Sequence, residues 1–483
     1  MPAASPIFRP AGGHAARPEA ALDARLRLMI ANGGDERIWL DPVTRRNRYG
    51  VPATPAPDEL WFSSSTASAV SERGWRAAGQ ALEHLTEPGQ HTIAGWFDGL
   101  RRRLLALYGA PGAQAILTAS GTEAELVTLS LALGLAHGPV TNIVVAPAET
   151  GSGVPAAASG LHFLGCASLG VQVTRAQRLS GWDRTELRLE AIEIRTGCGA
   201  LRSQRSVDHE AASKVAAAVA GGAFAVLHVL DASKTGRSGV SRGAAAEILG
   251  RHPERVLVVV DACQLRCTAA DISADLEAGF AVMMTGSKFA GGPAFCGAVL
   301  LPPGLVEPLM HAAPAGPALA PYSAAFDWPD ALRDPFTRGL NHLANLGLGL
   351  RWTAALAEIE AYEAVPPGWR AALLDEFGRA VRARVAADRE LALVDHRAPT
   401  GAPGLIPVAH RSGADPRPTY EKLARGESGG RPCHLGQPVA VGARQALRVC
   451  ASMPMIVDAA EHGFASLEAG LDELFESWAR LRG

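Results

Sequence analysis

Phe280-Ala-Val-Met-Met-Thr-Gly-Ser-Lys-Phe-Ala-Gly-Gly-Pro293 is an apolar run that breaks into small residues, one lysine and a pair of glycines. A short uncharged run closed by turn residues reads as a strand buried on both faces. The lysine that follows it, Lys288, is unusual for this chain. Of 46 lysines and arginines only four are lysines, at positions 214, 234, 288 and 422. Surface charge is carried by arginine, so a solvated surface lysine is a poor account of Lys288. Partial desolvation at a strand end lowers an amine's pKa, which suits nucleophilic chemistry. Lys214, on an alanine-rich helix, and Lys422, within Tyr420–Arg425, sit on solvent faces. Lys234 also follows an apolar run and is the rival.

Outward from this stretch, similar runs alternate with helical segments between about 92 and 310. Strands are expected at 114–118, 141–146, 225–230, 255–260, 280–284 and 295–301, with helices at 95–109 and 122–136. Uniformly apolar strands separated by helices imply an α/β fold with a mostly parallel sheet covered by helices. Ligands bind such sheets at the carboxyl ends of the strands. Residues 1–57, rich in Ala, Pro and Gly with one helix near 20–31, read as an N-terminal arm. Residues 58–330 form a large domain. Residues 331–483 form a smaller C-terminal α+β domain, with a helical linker at 340–364, strands at 405–410 and 446–451, and a closing helix at 456–481.

Two more strand ends carry chemistry. Thr118-Ala-Ser-Gly-Thr-Glu-Ala124 is a small-residue turn opening a helix, where Ser120, Gly121 and Thr122 can hold a phosphate dianion. A simple N-cap with an acidic first turn fits it equally. Val260-Asp-Ala-Cys-Gln264 ends an apolar strand in a carboxylate, which is costly there unless it meets a cation. A pyridinium N–H would be that cation, Gln264 could bond the ring's phenolic oxygen, and a protonated ring is the electron sink of pyridoxal 5′-phosphate (PLP) chemistry. A metal ligand or a helix cap remains the alternative for Asp261. Thr285 and Ser287, beside Lys288, are further phosphate donors.

The order SGTE, DxxQ, TGSK and GGP resembles fold type I PLP enzymes, in particular the class V aminotransferase and cysteine desulfurase group. The resemblance spans about 58–480. It implies the PLP-transferase fold, PLP on Lys288 and an α-amino acid substrate. It also implies a homodimer with the active sites at the interface, where Tyr322 and Ser323 would approach the neighbouring phosphate. Trp61–Ser68 sits where the group has a substrate loop, which implicates Ser65, and Pro88–Thr92 where it has a substrate-side turn, which implicates His91. Ala446–Ser452 resembles the strand whose arginine holds the substrate carboxylate, here Arg448. Departures surround the ring. Glu149-Thr-Gly-Ser-Gly153 replaces a stacking histidine or aromatic, leaving Thr150 or backbone to cover it. Asp231-Ala-Ser-Lys234 replaces an Asn-Glu pair, leaving Asp231 as the cofactor contact there, and Ser287 replaces a histidine common in desulfurases.

The bulk numbers exclude other classes. A net charge of −2 gives no reason to expect a nucleic-acid partner, and no run is long and apolar enough for a membrane, so a cytoplasmic enzyme is expected. Seven cysteines without CxxC spacing indicate neither a disulfide framework nor a metal site. Cys433, 15 residues before Arg448, could accept sulfur as in one desulfurase branch, or could be a buried cysteine opening a strand. The expected activity is that of a PLP-dependent lyase or transferase. It acts through an external aldimine, with Cα deprotonation and then elimination or replacement. Transamination, desulfuration through Cys433, and a non-catalytic PLP-fold protein are the alternatives.

Overall fold

A computed structural model of the protein describes residues 18–86, 92–183, 186–312, 317–395 and 402–482. Among these residues are twelve strands: β1 Leu60–Phe62, β2 Gln114–Thr118, β3 Val140–Val145, β4 Leu187–Ile192, β5 Phe224–Leu230 and β6 Val256–Ala262, then β7 Ala281–Thr285, β8 Gly297–Leu301, β9 Leu391–Leu393, β10 Leu405–His410, β11 Cys433–Val441 and β12 Arg444–Cys450. Seven form one sheet in the order β2-β8-β7-β6-β5-β3-β4. The pairs β4/β3, β3/β5, β5/β6 and β6/β7 are parallel, and β8 runs antiparallel to both its neighbours. β2 therefore points the same way as β7, and the carboxyl ends of β2, β3, β5, β6 and β7 share one side of the sheet.

The apolar runs are the central strands because helices cover both faces. β5 and β7 are buried at every residue, and in β6 only Asp261 is partly open. The Gly121–Leu135 helix lies behind the sheet with Thr122 to Gly134 all buried, which accounts for its lack of a polar face. Two polar groups must then be met inside: His228 of β5 bonds Asn142 of β3 at 3.0 Å, and Asn142 bonds Glu125 of that helix at 2.9 Å.

The second sheet has the order β1-β11-β12-β10-β9, with β1 parallel to β11 and the other pairs antiparallel. β4 and the Pro367–Ala387 helix went unrecognised in the sequence, and the closing helix is two, Met453–His462 and Ala465–Arg480. Gly463, at φ +91°, makes the break.

Described residues from 18 onward lie against the body rather than apart. The Pro18–Ile30 helix packs on the Leu346–Ala364 helix. Arg351, fully buried on the latter, donates to the carbonyls of Ile30 (3.0 Å), Gly33 (2.8 Å), Phe295 (2.7 Å) and Asn32. That network fixes Phe295 at φ +74°, a conformation that costs a non-glycine residue about 1–2 kcal/mol. The Lys288 turn is equally tight. A methyl group on Gly292 would lie 2.5 Å from Ala355 Cβ and 2.7 Å from the Gly286 carbonyl oxygen. Gly292→Ala is expected to cost about 1–3 kcal/mol of stability, read as a lower denaturant midpoint with an unchanged slope.

Candidate active site

Loops at the strand ends, the β12 strand and the N-terminal segment enclose a cavity of about 350 Å³. Its lining includes Lys288, Asp261, Gln264, Ser120, Gly121, Thr122, Thr285, Ser287, Thr150, Ser65 and Arg448. Eleven residues chosen from separate motifs thus meet in one place. Asp231 does not. Leu230 and Ala232 face the cavity, whereas Asp231 turns to the other side and pairs with Arg242 at 3.0 Å. Burial raises its carboxyl pKa. The expected cofactor contact at Asp231 is therefore corrected: the turn after β5 presents Lys234 instead. His91 lies outside the described residues.

At the first strand end, Ser120 caps the helix, its Oγ accepting from the Thr122 amide at 3.1 Å. This uses one of the amides expected to face an anion. Among the described residues, the Gly121 amide and the Thr122 and Ser287 hydroxyls have no other partner, so three donors remain. Thr285 is spoken for, donating to the Cys263 carbonyl at 2.7 Å. A methyl group at Gly121 would meet Cys263 Sγ at 2.8 Å, so this turn can lie against the ends of β6 and β7 only as glycine. Asp261 accepts the Cys263 amide at 3.0 Å on Oδ1 and keeps Oδ2 for a ligand. Gln264 donates to the Ser65 carbonyl at 3.3 Å, while its buried Oε1 has no partner among the described residues. Thr150 Oγ1 bonds the Pro147 carbonyl at 3.1 Å.

Arg448 is buried and, among the described residues, forms no ion pair. Its guanidinium donates to the Gln437 carbonyl from Nε (3.1 Å) and Nη2 (2.8 Å), to Thr66 Oγ1 from Nη2 (3.0 Å) and to the Ser65 carbonyl from Nη1 (3.3 Å). Burial pushes its pKa down. Gly436, opposite Arg448 in the β11/β12 register, leaves room for this, since a Cβ there would lie 2.3 Å from Ser65 Oγ and 2.8 Å from Arg448 Cβ. Lys234 also lines the cavity. Burial, and then the charges of Arg448 and Lys288, bring its amine down to about 8.

Sequence reading overlooked Arg37 and Tyr49. Arg37 holds buried Asp35 with two nitrogens (2.6 and 2.9 Å) and lies 5.0 Å from the Phe295 ring centre. Arg48 and Arg175 reach the cavity from exposed positions. Nothing in the Ala/Pro-rich first 57 residues marks Arg37 or Tyr49, because the Phe295 ring that both approach is distant in sequence. Glu149, at the end of β3, is held by Arg195, Ser233 (2.8 Å) and Thr235.

Tyr322 and Ser323 point into their own chain. Tyr322 bonds His162 at 2.7 Å, and Ser323 accepts from Trp328 Nε1 at 2.9 Å and donates to Asp327 at 3.2 Å, so both hydroxyls are engaged within this chain. Cys433 opens β11 inside the core, outside the cavity, with its thiol pushed up to about 12 by burial. A thiolate role there is therefore corrected to a structural one.

No family model matches the sequence, and no curated protein does. Solved structures do match. An alanine–glyoxylate aminotransferase from Nostoc sp. superposes with a TM-score of 0.57 at 14% identity, covering 89% of this chain and 96% of that one. A cysteine desulfurase from Thermococcus onnurineus NA1 gives 0.54 at 15% identity, covering 87% and 95%. The Oryza sativa protein TDC, solved with PLP and tryptamine, gives 0.54 at 16% identity, covering 98% and 91%. The chain shares the fold of these proteins, which is the fold expected from the motif order.

Cys198 is exposed, and its hydrogen bond with Thr196 lowers its thiol pKa. A thiol reagent at neutral pH should therefore modify Cys198 first and Cys433 only on unfolding. Cys198→Ser should remove the fast phase of a stopped-flow thiol titration.

Proposed function

We propose that the protein is a PLP-dependent enzyme acting on an α-amino acid, with the cofactor carried on Lys288. The observation that supports this most is the meeting of an amine, a carboxylate and an anion-binding turn at three adjacent strand ends, with an uncompensated guanidinium across the cavity. Lys288 offers the imine-forming nitrogen. Asp261 Oδ2 would accept from the pyridine N–H and keep that nitrogen protonated. Gly121, Thr122 and Ser287 supply phosphate donors, and Gln264, whose acceptor Oε1 has no partner among the described residues, lines the cavity beside them. When bound, PLP supplies the electron sink for the electron pair released at the substrate α-carbon.

Arg448 balances the substrate carboxylate. The Lys288 Nζ, which opens on the same cavity, would be the group that takes and returns a proton at the substrate. The closed floor of the cavity, built from buried strand ends, keeps water from competing for it. Elimination or replacement after Cα deprotonation is the favoured outcome, and the altered residues at 149–153, 231–234 and 287 support a specificity apart from the common aminotransferases. Release of a keto acid and ammonia without an added acceptor would assign elimination, whereas a requirement for an acceptor keto acid would assign transamination. A homodimer with the cavity near its interface belongs to the same reading. The exposed apolar side chains of Trp39, Val43 and Val171, close in sequence to the arginines at the cavity mouth, support it.

Borohydride should fix the cofactor on Lys288, and Lys288→Ala should abolish the adduct while Lys234→Ala retains it; peptide mapping that finds the label on Lys234 would overturn the assignment. Asp261→Asn should still bind PLP yet lose about a hundredfold or more in turnover, since a neutral amide cannot hold the ring proton. Near-native turnover in that variant would make Asp261 structural.

A further inference from the structure

We infer that Lys234 is the second half of the substrate-carboxylate site, completing a clamp that Arg448 alone cannot form. The inference rests on the PLP reading above. A guanidinium has five N–H donors, and a two-point grip on a carboxylate uses two of them. In Arg448 the Nε hydrogen goes to Gln437, both Nη2 hydrogens go to Gln437 and Thr66, and one Nη1 hydrogen goes to Ser65. One hydrogen remains. Arg448 thus contributes charge and a single bond, and a carboxylate beside it has a second oxygen to satisfy.

Lys234 is the group in position. It lines the same cavity and interacts electrostatically with Arg448 and with Lys288. Its main-chain amide is pinned to the Glu149 carbonyl at 2.8 Å, which fixes where the side chain starts. Three charged groups of the lining act on it, Arg448 from β12, Lys288 from beyond β7 and Glu149 from beyond β3, and Asp261 and the mouth arginines line the same cavity. The Glu149 carboxylate is already taken by Arg195, Ser233 and Thr235. Asp261 is held by the Cys263 amide. Among the described residues no carboxylate pairs with Lys234 or with Arg448, and a half-buried ammonium beside a buried guanidinium, neither of them ion-paired, calls for an anionic ligand.

The sign of the pH dependence follows. Burial and the two neighbouring cations hold the amine near 8, so it is charged below that pH and neutral above it. Carboxylate binding should be strongest below about pH 8 and weaken above it, by up to tenfold per pH unit, the limit when only the ammonium form binds.

The test is calorimetric titration of the PLP-loaded protein with propionate, which has a carboxylate but no amine to titrate in this range. In the unaltered protein the affinity should fall between pH 7 and pH 9.5. Lys234→Gln should bind about tenfold more weakly at pH 7, with a flat profile, and Lys234→Arg should bind well at both pH values. The three proteins differ only at position 234, so the comparison isolates that side chain. Binding by Lys234→Gln that is as tight as the unaltered protein's, or that keeps its pH slope, would overturn the inference. So would a failure of the unaltered protein to bind propionate at pH 7, or a loss of turnover in Lys234→Gln with amino-acid binding intact, which would make the residue a proton carrier. Borohydride labelling read by peptide mapping tests the PLP reading separately, so a failure of one is distinguishable from a failure of the other.

Discussion

A guanidinium taken out of water needs acceptors for its N–H groups, and in this protein most of those acceptors are main-chain carbonyls. Arg266, Arg351 and Arg448 are buried, and among the described residues none forms an ion pair. Arg351 ties residues 30–33 to the Phe295 loop. Arg266 donates to the carbonyls of Pro403, Gly404 and Ala451 and to Ser64 Oγ, drawing the end of β6 to the second sheet. Its guanidinium also lies 4.3 Å from the Phe289 ring centre, directly after Lys288. Arg448 binds the Ser65–Thr66 loop to the irregular stretch of β11. Each arginine joins segments distant in sequence, and each joint borders the cavity or the Lys288 turn.

Carbonyl acceptors leave the positive charge uncancelled. Burial pushes Arg266 and Arg351 down to about 10, and it lowers Arg448 as well. At Arg266 and Arg351 the charge is shut inside the protein and serves as a joint. At Arg448 it opens on a cavity that also holds two lysines, and there it becomes a binding potential for an anion. Low local polarizability strengthens that attraction. The same residue type thus builds the scaffold and the site, and the difference lies in whether solvent or substrate can reach it.

Glycine performs the complementary task of close approach. Gly121, Gly292 and Gly436 stand where a methyl group would strike a neighbour within 3 Å, at the phosphate-type turn, the Lys288 turn and the Arg448 strand respectively. The site is therefore assembled from backbone-level contacts, with the reactive side chains projecting from turns that have little room to move.

The sequence by itself determined the central strands, the order of the motifs and the meeting of Lys288, Asp261 and the Ser120–Thr122 turn. Parallel strands place all their carboxyl ends on one side, so residues just after separate apolar runs are brought together without any knowledge of the loops. Cys433 as a buried strand residue was legible for a related reason: Cys-His-Leu-Gly-Gln-Pro-Val is apolar at its start and pairs with β1. Tertiary structure alone decided what each turn presents. The turn after Leu230 points Asp231 at Arg242 and Lys234 at the cavity, along a path held by the Glu149 carbonyl and carboxylate. Arg37 enters the site from a segment without any motif, through a partner network centred on residues 295 and 351. The hydrogen-bond commitments of Arg448 depend on carbonyls of residues 65 and 437, which no local pattern encodes. Local periodicity fixes which residues are buried, whereas the direction of a side chain at a turn is fixed by long-range packing and by the acceptors it finds there.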